Sequence, residues 1–233
     1  MSSSTSGTVS QKVVAYMTSN HDLEQQLPSA PACLRNRDPI LQVIKPILAN
    51  ASNVLEIGSG TGEHAIYFAE HLPHLVWHPS DLRCNHDIIN AWITRSQLPN
   101  VMPPIELDAA VPGWLLSPEA ERKIDAIFTA NTFHIIAWEL CLALLKHTAE
   151  VFKKNDEGKA GDLLIYGPFN FGGQYSSESN EKFDQWLKNR DPQSAIRNFE
   201  TVAEEAAAVG FSLVADHEMP ANNRLLHFKF SSS

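Results

Sequence analysis

The sequence lacks a long apolar run, a cysteine framework and a cluster of basic residues. Without a run of about 20 apolar residues, a membrane-spanning helix is not expected. The three cysteines, Cys33, Cys84 and Cys141, are odd in number and far apart, which argues against a disulfide framework and a zinc site. They fit a reducing compartment, so we expect a cytoplasmic protein with no membrane partner and no bound metal.

Positive charge is also scarce, with 18 Lys and Arg residues against 27 Asp and Glu and a formal charge of −9. Because a nucleic-acid enzyme usually shows a basic stripe, we expect no nucleic-acid partner. The Ser/Thr-rich residues 1–12 have no apolar core behind a basic patch, so they predict a disordered tail rather than a signal peptide. At this length, residues 13–233 are predicted to form a single domain.

The chain does contain a short apolar strand pattern that breaks into three alternating glycines. Residues 54–57 predict a buried strand, and Gly58, Gly60 and Gly62 follow it at every second position. Without Cβ atoms these residues let a ligand approach the backbone closely. The residues after Gly62 predict a helix whose first amides face the turn. This glycine loop, residues 58–62, indicates a nucleotide-like ligand; a plain strand–turn–helix is the alternative.

The spacing separates the glycine loop from two similar motifs. A dinucleotide-binding loop has its third glycine one residue later, where this chain has Glu63, and a triphosphate-binding loop needs a lysine that is absent here. The segment resembles instead the first motif of class I S-adenosylmethionine-dependent methyltransferases. This resemblance implies S-adenosyl-L-methionine as the cofactor, bound along Glu56, Gly58, Ser59, Gly60, Thr61 and Gly62.

Predicted strands and helices alternate along the rest of the chain. A first helix is predicted to begin at Pro39, with Asp38 as its N-cap. Further helices are predicted over residues 63–70, 87–97, 137–151, 180–189 and 199–209, and strands over residues 75–81, 102–108, 124–130, 162–167, 211–216 and 225–230. The alternation predicts an α/β fold with a mainly parallel, doubly wound sheet. The last two strands are predicted to form an antiparallel hairpin, which completes the seven-stranded, Rossmann-like sheet of a class I methyltransferase.

Several polar residues fall at predicted strand ends, where an open α/β sheet binds its ligand. Glu56 ends the first strand, where a carboxylate can organise the loop amides or approach the amino-acid portion of the donor. Asp81 ends the second strand at the offset at which an acidic residue meets ribose hydroxyls, with a turn or helix cap as the alternative. Asp108 is a candidate acceptor for the adenine amino group, with an ordinary turn as the alternative. The remaining donor contacts are predicted at Leu82, Ala109 and Asn131, with a contact to the substrate as the alternative for Asn131.

His134 is the candidate catalytic residue because it lies just beyond the fourth predicted strand. A histidine with a pKa near neutrality is the usual general base where a nucleophile must lose a proton. The alternative is a histidine without a catalytic role, since the chain has ten. Methyl transfer to a nucleophilic acceptor also depends strongly on alignment and desolvation. The aromatic residues near the fifth strand are predicted either to wall an acceptor pocket or to pack within a loop: Tyr166, Phe169, Phe171 and Tyr175.

Several segments resemble those of the methyltransferase-like 26 family, long described as a domain of unknown function. They follow the same order along nearly the whole chain after the tail: residues 35–40, 56–64, 77–81, 131–135, 166–169, 179–180, 183–184 and 219–223. One departure is Gly58-Ser59, where relatives often have Ala-Ser. The resemblance implies a class I methyltransferase that binds S-adenosylmethionine, with an acceptor site at Asn36, Arg37, Tyr166, Phe169, Asn222 and Asn223.

Two functions therefore stand as hypotheses. The first is S-adenosylmethionine-dependent transfer of a methyl group to a small-molecule or peptidic acceptor. The second is a non-catalytic protein that keeps the methyltransferase fold, binds the cofactor and serves as a partner or sensor; an NAD-dependent oxidoreductase is disfavoured by the glycine spacing. Under the first, we expect Arg37, His134 and Tyr166 to line one cavity, crossed by an N-terminal segment as a lid. Arg37 is expected to hold a carboxylate or phosphate there.

Overall fold

The computed structural model describes residues 27–111, 124–154 and 160–231, so the predicted tail over residues 1–12 lies outside the described residues. Within these ranges no helix combines the length and the apolarity needed to cross a membrane. The helices are α1 (Pro31–Ile47), α2 (Glu63–His71), α3 (His86–Ser96), α4 (Trp138–Lys153), α5 (Glu178–Arg190) and α6 (Phe199–Ala208). The strands are β1 (Asn53–Ile57), β2 (Val76–Asp81), β3 (Ile105–Glu106), β4 (Ala126–Ala130), β5 (Gly161–Asn170), β6 (Arg197–Asn198), β7 (Phe211–Met219) and β8 (Asn223–Phe230).

Seven of these strands form one sheet in the order β3-β2-β1-β4-β5-β8-β7, and the two-residue strand β6 pairs with the end of β5. Strands β1 to β5 run parallel, while β8 pairs antiparallel with both β5 and β7. This arrangement confirms the predicted fold class, to which it adds β6. The strand order reverses between β1 and β4, and an open α/β sheet binds its ligand at the carboxyl ends of such strands.

Helices cover both faces of the sheet, because successive side chains along a strand point to opposite faces. On one face, Leu55 and Ile127 join a core with α4 and α6. On the other face, Val54 and Phe128 join a core with α1 and α2. Burial on both faces explains why these strands read as nearly continuous apolar runs. The strand ends and the loops that follow them are therefore left to carry a functional site.

The predicted start of the first helix is wrong. Helix α1 begins at Pro31, eight residues before Pro39. Asp38 does not cap the helix; it accepts a hydrogen bond from the Tyr67 hydroxyl. Pro39 removes one hydrogen bond from the helix interior, but the neighbouring Ile40 is fully buried against the sheet. Packing of this apolar face keeps the helix continuous through the proline.

Strand β3 is shorter than predicted, with two residues in place of residues 102–108. The two adjacent prolines before it have no N–H to donate to a neighbouring strand. Ahead of them the pairing is reduced to a single bridge between Val101 and Trp77. This edge of the sheet is therefore mostly loop.

Candidate active site

The glycine loop is held in place by the end of β2. The amides of Gly58 and Ser59 both donate to the Ser80 carbonyl over 3.0 Å, and the Ser80 amide donates to the Ser59 hydroxyl over 3.1 Å. The amide of Gly60 donates to Asp81 Oδ2 over 2.6 Å. Because these amides are used within the protein, the loop offers a ligand its backbone surface and Asp81.

Gly60 leaves open space beside the loop. Its φ is +59°, in the left-handed region, and a Cβ built on it would meet no atom within 4 Å. Gly58 differs, because a Cβ there would lie 2.8 Å from Thr132 Oγ1. Gly58 is therefore required by packing inside the protein, whereas Gly60 keeps clear a surface that a ligand can approach closely. An open glycine of this kind fits the S-adenosylmethionine site that the sequence predicts.

The carboxylate of Asp81 organises the strand end beside the loop. Its Oδ1 accepts hydrogen bonds from the Leu82 amide over 2.7 Å and from Asn85 Nδ2 over 2.8 Å. Its Oδ2 accepts the bond from Gly60 described above, and a carboxylate oxygen has room for a second donor. The side chain of Leu82 is 46% exposed and adds an apolar surface at the same strand end. The two residues thus present a polar and an apolar contact side by side.

Glu56 supports the loop from within the protein. Its side chain is 1% exposed and accepts a hydrogen bond from Trp77 Nε1 over 3.0 Å and another from the Ser59 hydroxyl. Burial raises the pKa of this carboxyl to about 7, because the charged form loses its hydration. Of the two roles considered from the sequence, organising the loop is the one that these contacts fit.

Three other predicted donor residues also have contacts within the protein. The Thr61 hydroxyl donates to Glu63 over 3.0 Å. Asp108 Oδ1 accepts from the Ala110 amide over 2.8 Å, as in an ordinary turn. Ala109 packs against the core on the α4 side of the sheet. These side chains shape the loops around the strand ends.

The chain before α1 crosses the start of α2 next to the glycine loop. Glu63 accepts hydrogen bonds from the Ser29 hydroxyl over 2.9 Å and from the Ala30 amide over 2.5 Å. Trp92 Nε1 donates to the Pro28 carbonyl over 3.0 Å. Glu63 stands where a dinucleotide-binding loop has its third glycine, and here it anchors the segment that leads into α1. This segment lies on the side of the crevice where the donor is expected.

A cavity of about 890 Å³ lies at the ends of β4 and β5. Helix α5 forms one wall of it, and α1 and the turn between β7 and β8 contribute others. Five of the residues predicted as site residues take part in its lining: Asn36, Asn131, His134, Tyr166 and Asn223. The structure thus brings together groups that are almost 190 residues apart in the chain, from Asn36 to Asn223.

Arg37 does not join this group. Its guanidinium lies over the ring of Tyr67, 4.4 Å from the ring centroid. Arg35 lines the cavity in its place, because residues two positions apart on a helix do not face the same side. The structure therefore does not bring Arg37 together with His134 and Tyr166 as the sequence predicts.

Two further predicted acceptor residues lie outside the described cavity lining. Phe169 is 1% exposed and belongs to the core on the α4 side of the sheet. It lies three residues after Tyr166 on the same strand, so the two side chains point to opposite faces. Asn222 is an exposed residue in the turn before β8, with φ +57°, and its Nδ2 donates to the Ser179 hydroxyl over 3.4 Å. Both residues have structural contacts where they lie.

His134 lines the cavity but is only 5% exposed. Burial lowers the pKa of its imidazole to about 4, and the positive charge of Arg197 lowers it further in the same direction. The ring meets the ring of Phe183 edge to face, with centroids 5.4 Å apart. The imidazole is therefore neutral at neutral pH, and a neutral imidazole can accept a proton or a hydrogen bond through one nitrogen.

The loop that carries His134, residues 131–137, is held by two side chains from the segment before α6. Arg197 donates to the carbonyls of Phe133 and Ile136, and the hydroxyl of Ser194 donates to the carbonyl of Ile135. Neither donor was predicted from the sequence, since no local pattern reports contacts across some 60 residues. These bonds fix the backbone on both sides of the histidine.

The His134 loop also touches the glycine loop. The Thr129 hydroxyl donates to the Ile57 carbonyl over 2.9 Å and lies 2.8 Å from the Thr132 hydroxyl. Thr132 in turn fills the space next to Gly58. The ends of β1 and β4 are joined in this way at the point where the strand order reverses. The glycine loop therefore adjoins the loop that lines the cavity.

A buried polar pair forms the α1 side of the cavity. Asn36 is 7% exposed; its Oδ1 lies 2.8 Å from His64 Nε2, and its side chain also hydrogen-bonds the Tyr166 hydroxyl. Burial lowers the pKa of His64 to about 4, so its ring is neutral. With the Asn36 amide donating to Tyr166, its Oδ1 accepts from the Nε2–H of His64. Three elements, α1, α2 and β5, are tied together at the cavity wall.

The fold is similar to those of solved methyltransferases. An O-methyltransferase family protein from Burkholderia thailandensis matches with a TM-score of 0.69 at 17% identity, over 87% of this chain and 58% of that chain. An O-methyltransferase family 2 protein from Planctomyces limnophilus, solved with apigenin, matches with a TM-score of 0.69 at 14% identity, over 85% of this chain and 57% of that chain. An O-methyltransferase of neocarzinostatin biosynthesis was solved with S-adenosylmethionine and 2-hydroxy-5-methyl naphthoic acid. It matches with a TM-score of 0.67 at 13% identity, over 86% of this chain and 55% of that chain.

The chain spans little more than half the length of these relatives, and at such low identity the similarity establishes the methyltransferase fold alone. A family model described as "Protein of unknown function (DUF938)" matches residues 27–230. That match includes the glycine loop, the His134 loop and every cavity residue named above. The chain therefore belongs to the DUF938 family.

Proposed function

We propose that this protein is an S-adenosylmethionine-dependent methyltransferase that acts on a small-molecule acceptor. The observation that carries the proposal is the contact between the glycine loop and the His134 loop, where Gly58 packs against Thr132. It sets a surface suited to the donor beside a cavity suited to an acceptor. The solved relative that holds S-adenosylmethionine together with a naphthoic acid supports the same pairing.

The donor would lie along the glycine loop at the ends of β1 and β2. The remaining acceptor capacity of Asp81 Oδ2 would serve the ribose hydroxyls. The exposed side chain of Leu82 would pack against the adenine. Asn131, the first residue of the His134 loop, lines the cavity and would border the donor on the acceptor side. When bound, S-adenosylmethionine supplies an electrophilic methyl group.

The residues of the cavity would position the acceptor and take its proton. The neutral imidazole of His134 would accept a hydrogen bond from an acceptor hydroxyl. Because its pKa of about 4 makes it a weak base, it would take the proton as the methyl group is transferred and the hydroxyl becomes strongly acidic. Tyr166 and Asn36 are already linked to each other and would orient the acceptor. Fixed orientation supplies much of the acceleration in a transfer between two bound molecules.

Further predictions belong to this proposal. We also propose, from the sequence resemblance, that the chain is a member of the methyltransferase-like 26 family. A cytoplasmic location is supported by the cysteines, none of which forms a disulfide in the described structure. The absence of a nucleic-acid partner and the single domain over residues 13–233 stay predictions, based on the charge of −9 and the chain length.

Calorimetry with S-adenosylhomocysteine tests the donor site. Gly60→Val should abolish binding, because a branched side chain fills the open space beside the loop and is strained at φ +59°. Gly172→Val is the matched control. Gly172 lies in the exposed loop after β5, has φ +55° and equally open surroundings, and donates its amide hydrogen to the Glu200 side chain. Wild-type affinity in the folded Gly60→Val variant would remove the glycine loop from the proposal.

Transfer is tested separately with a methyl-labelled donor and an extract of small molecules. Wild-type protein should give a labelled product that mass spectrometry detects, and His134→Ala should give much less of it. Donor binding without any labelled product from the wild type would favour the non-catalytic hypothesis.

A further inference from the structure

Two arginines at the cavity have no acidic partner in the described parts of the chain. Arg35 on α1 and Arg190 at the end of α5 line the cavity, and both are exposed. In the same ranges, Lys188 and Arg224 form ion pairs with carboxylates, whereas Arg35 and Arg190 form none. Asp191 is the one acidic residue among the described lining residues. With two arginines and one aspartate, the lining carries a small net positive charge on a chain whose formal charge is −9.

The α5 wall of the cavity is aromatic. The rings of Phe183 and Trp186 are stacked, with centroids 5.8 Å apart and planes 13° apart. Trp186 is 52% exposed, although a large aromatic side chain normally gains from burial. Phe183 continues this wall to His134 through their edge-to-face contact. A flat ligand placed here would cover exposed aromatic surface and reach the proposed base.

The positive and aromatic groups adjoin each other. The guanidinium of Arg190 lies 5.7 Å from the ring centroid of Trp186. Burial raises the pKa of the Tyr166 hydroxyl across the cavity, and Arg35 lies close enough for its positive charge to oppose that rise. A guanidinium without a protein partner matches the two oxygens of a carboxylate. The volume of about 890 Å³ falls in the range of small-molecule sites, which is about 300–1,000 Å³.

We propose that the acceptor is a planar aromatic molecule that carries a carboxylate, with its ring against the exposed surface of Trp186 and its carboxylate on one of the two cavity arginines. This inference rests on the proposed function, because it names the acceptor class of that site. It accounts for the exposed tryptophan and for arginines in the lining that form no ion pair in the described structure.

Calorimetry with three probes, with and without saturating S-adenosylhomocysteine, tests the ligand class. The probes are 6-hydroxy-2-naphthoate, its uncharged amide, and decahydronaphthalene-2-carboxylate, which keeps the charge without a flat ring. The naphthoate should bind about tenfold more tightly than the amide, the usual effect of one charge-assisted hydrogen bond. It should also bind more tightly than the decahydro compound, because stacking on the α5 wall requires a flat ring.

Variants assign the two parts of the ligand to their partners. The double variant Arg35→Gln/Arg190→Gln should bind the naphthoate no more tightly than the amide, with the affinity for the amide unchanged. Trp186→Leu should weaken the naphthoate and the amide by the same factor. Lys182→Gln, an exposed cation on the same helix as Arg190 that pairs with Glu178, is the control and should keep the wild-type ratio.

Equal affinities for the naphthoate and the amide in the wild type would overturn the proposal, as would a preference that survives in the double variant. Thermal unfolding of each variant separates loss of the site from loss of the fold. If S-adenosylhomocysteine binds but the probes are not distinguished, the acceptor class is wrong and the methyltransferase proposal stands. If the probes are distinguished but S-adenosylhomocysteine does not bind, the cavity chemistry is right and the methyltransferase proposal fails.

Discussion

Arg197 Nε donates to the carbonyl oxygen of Phe133 over 2.9 Å, and Phe133 directly precedes His134 in the chain. The same guanidinium also donates to the carbonyl of Ile136, two residues after the histidine. A side chain from β6 therefore holds the backbone on both sides of the proposed base. It acts as a positioning residue, since it holds this loop through backbone carbonyls and is not among the residues that line the cavity.

Replacing Arg197 should disturb His134 without removing the donor site. In Arg197→Ala, the pKa of His134 should rise, because a nearby positive charge that disfavours the imidazolium is lost. NMR titration of the histidine C2 protons, with the His134 signal assigned by its absence in His134→Gln, measures this shift. Arg224→Ala is the matched control, because Arg224 also makes several bonds, to Asp216 and Glu218, but none to this loop. An unchanged His134 titration in Arg197→Ala would show that Arg197 does not act on the histidine.

His134→Ala should separate chemistry from donor binding. We expect methyl transfer to fall by about 100-fold or more, the usual contribution of a general base, while the affinity for S-adenosylhomocysteine changes by less than about threefold. Transfer is measured with the labelled donor and binding by calorimetry on the same preparation. Equal losses of both would make His134 a donor-site residue instead of a base.

Asp81→Ala should weaken donor binding by about 1–3 kcal/mol, because the Gly60 amide and the donor hydroxyls would lose the carboxylate as their hydrogen-bond acceptor. Asp87→Ala, an exposed aspartate in the first turn of α3, serves as the control. Calorimetry with S-adenosylhomocysteine measures both variants. An Asp81→Ala protein with the affinity of the control would exclude Asp81 from the donor site.

The stability of the protein should depend on the ionisation of Glu56. Its pKa is raised from 4.5 to about 7 in the fold, so the stability contributed by the protonated form is fully present below about pH 4.5 and is lost as the pH rises through 7. Glu56→Gln keeps an acceptor for Trp77 and cannot ionise. Between pH 5 and pH 8 its free energy of unfolding should therefore fall less than that of the wild type, by on the order of 2–3 kcal/mol.

Urea unfolding at the two pH values measures this difference. Glu139→Gln, at an exposed glutamate in the first turn of α4, is the control and should follow the wild type. Parallel pH profiles for wild type and Glu56→Gln would mean that the buried carboxyl is not the group that titrates.

The sequence was sufficient to predict the sheet and the glycine loop, because both depend on local patterns. Alternating apolar strands and amphipathic helices define a parallel α/β sheet, and the spacing of the glycines excludes the neighbouring loop types. The meeting of His134 and Tyr166 at one cavity was also predictable, since the ends of parallel strands lie at one edge of the sheet. Asn36, which precedes the first strand, was proposed for the acceptor site only through the family resemblance.

The error at Arg37 arises from the start of the first helix. Asp38 and Pro39 form a strong local signal for a helix start, but the burial of Ile40 and Ile44 overrides it and α1 begins at Pro31. Once the preceding residues are helical, Arg35 and Arg37 face different sides. The choice between the two arginines depends on tertiary packing that no local pattern records.

The error at Phe169 has a similar cause. Strand β5 continues three residues past its predicted end at Gly167, because it pairs with β8 and then with β6. Continued alternation along the strand turns Phe169 into the core. The contacts of Arg197 were beyond prediction for another reason, since they join segments about 60 residues apart through backbone carbonyls, which every residue carries.

Helix α1 is anchored at both ends of the site: the residues that lead into it are bound by Glu63 beside the glycine loop, and its Asn36 is bound to Tyr166 in the cavity wall. One helix therefore connects the regions proposed for the two ligands. If donor binding changes the free energy of acceptor binding through α1, acceptor binding must change the free energy of donor binding by the same amount, since linkage between two sites is reciprocal. We expect the two affinities to be coupled through this helix, so that the affinity of each ligand measured alone differs from its affinity in the ternary complex.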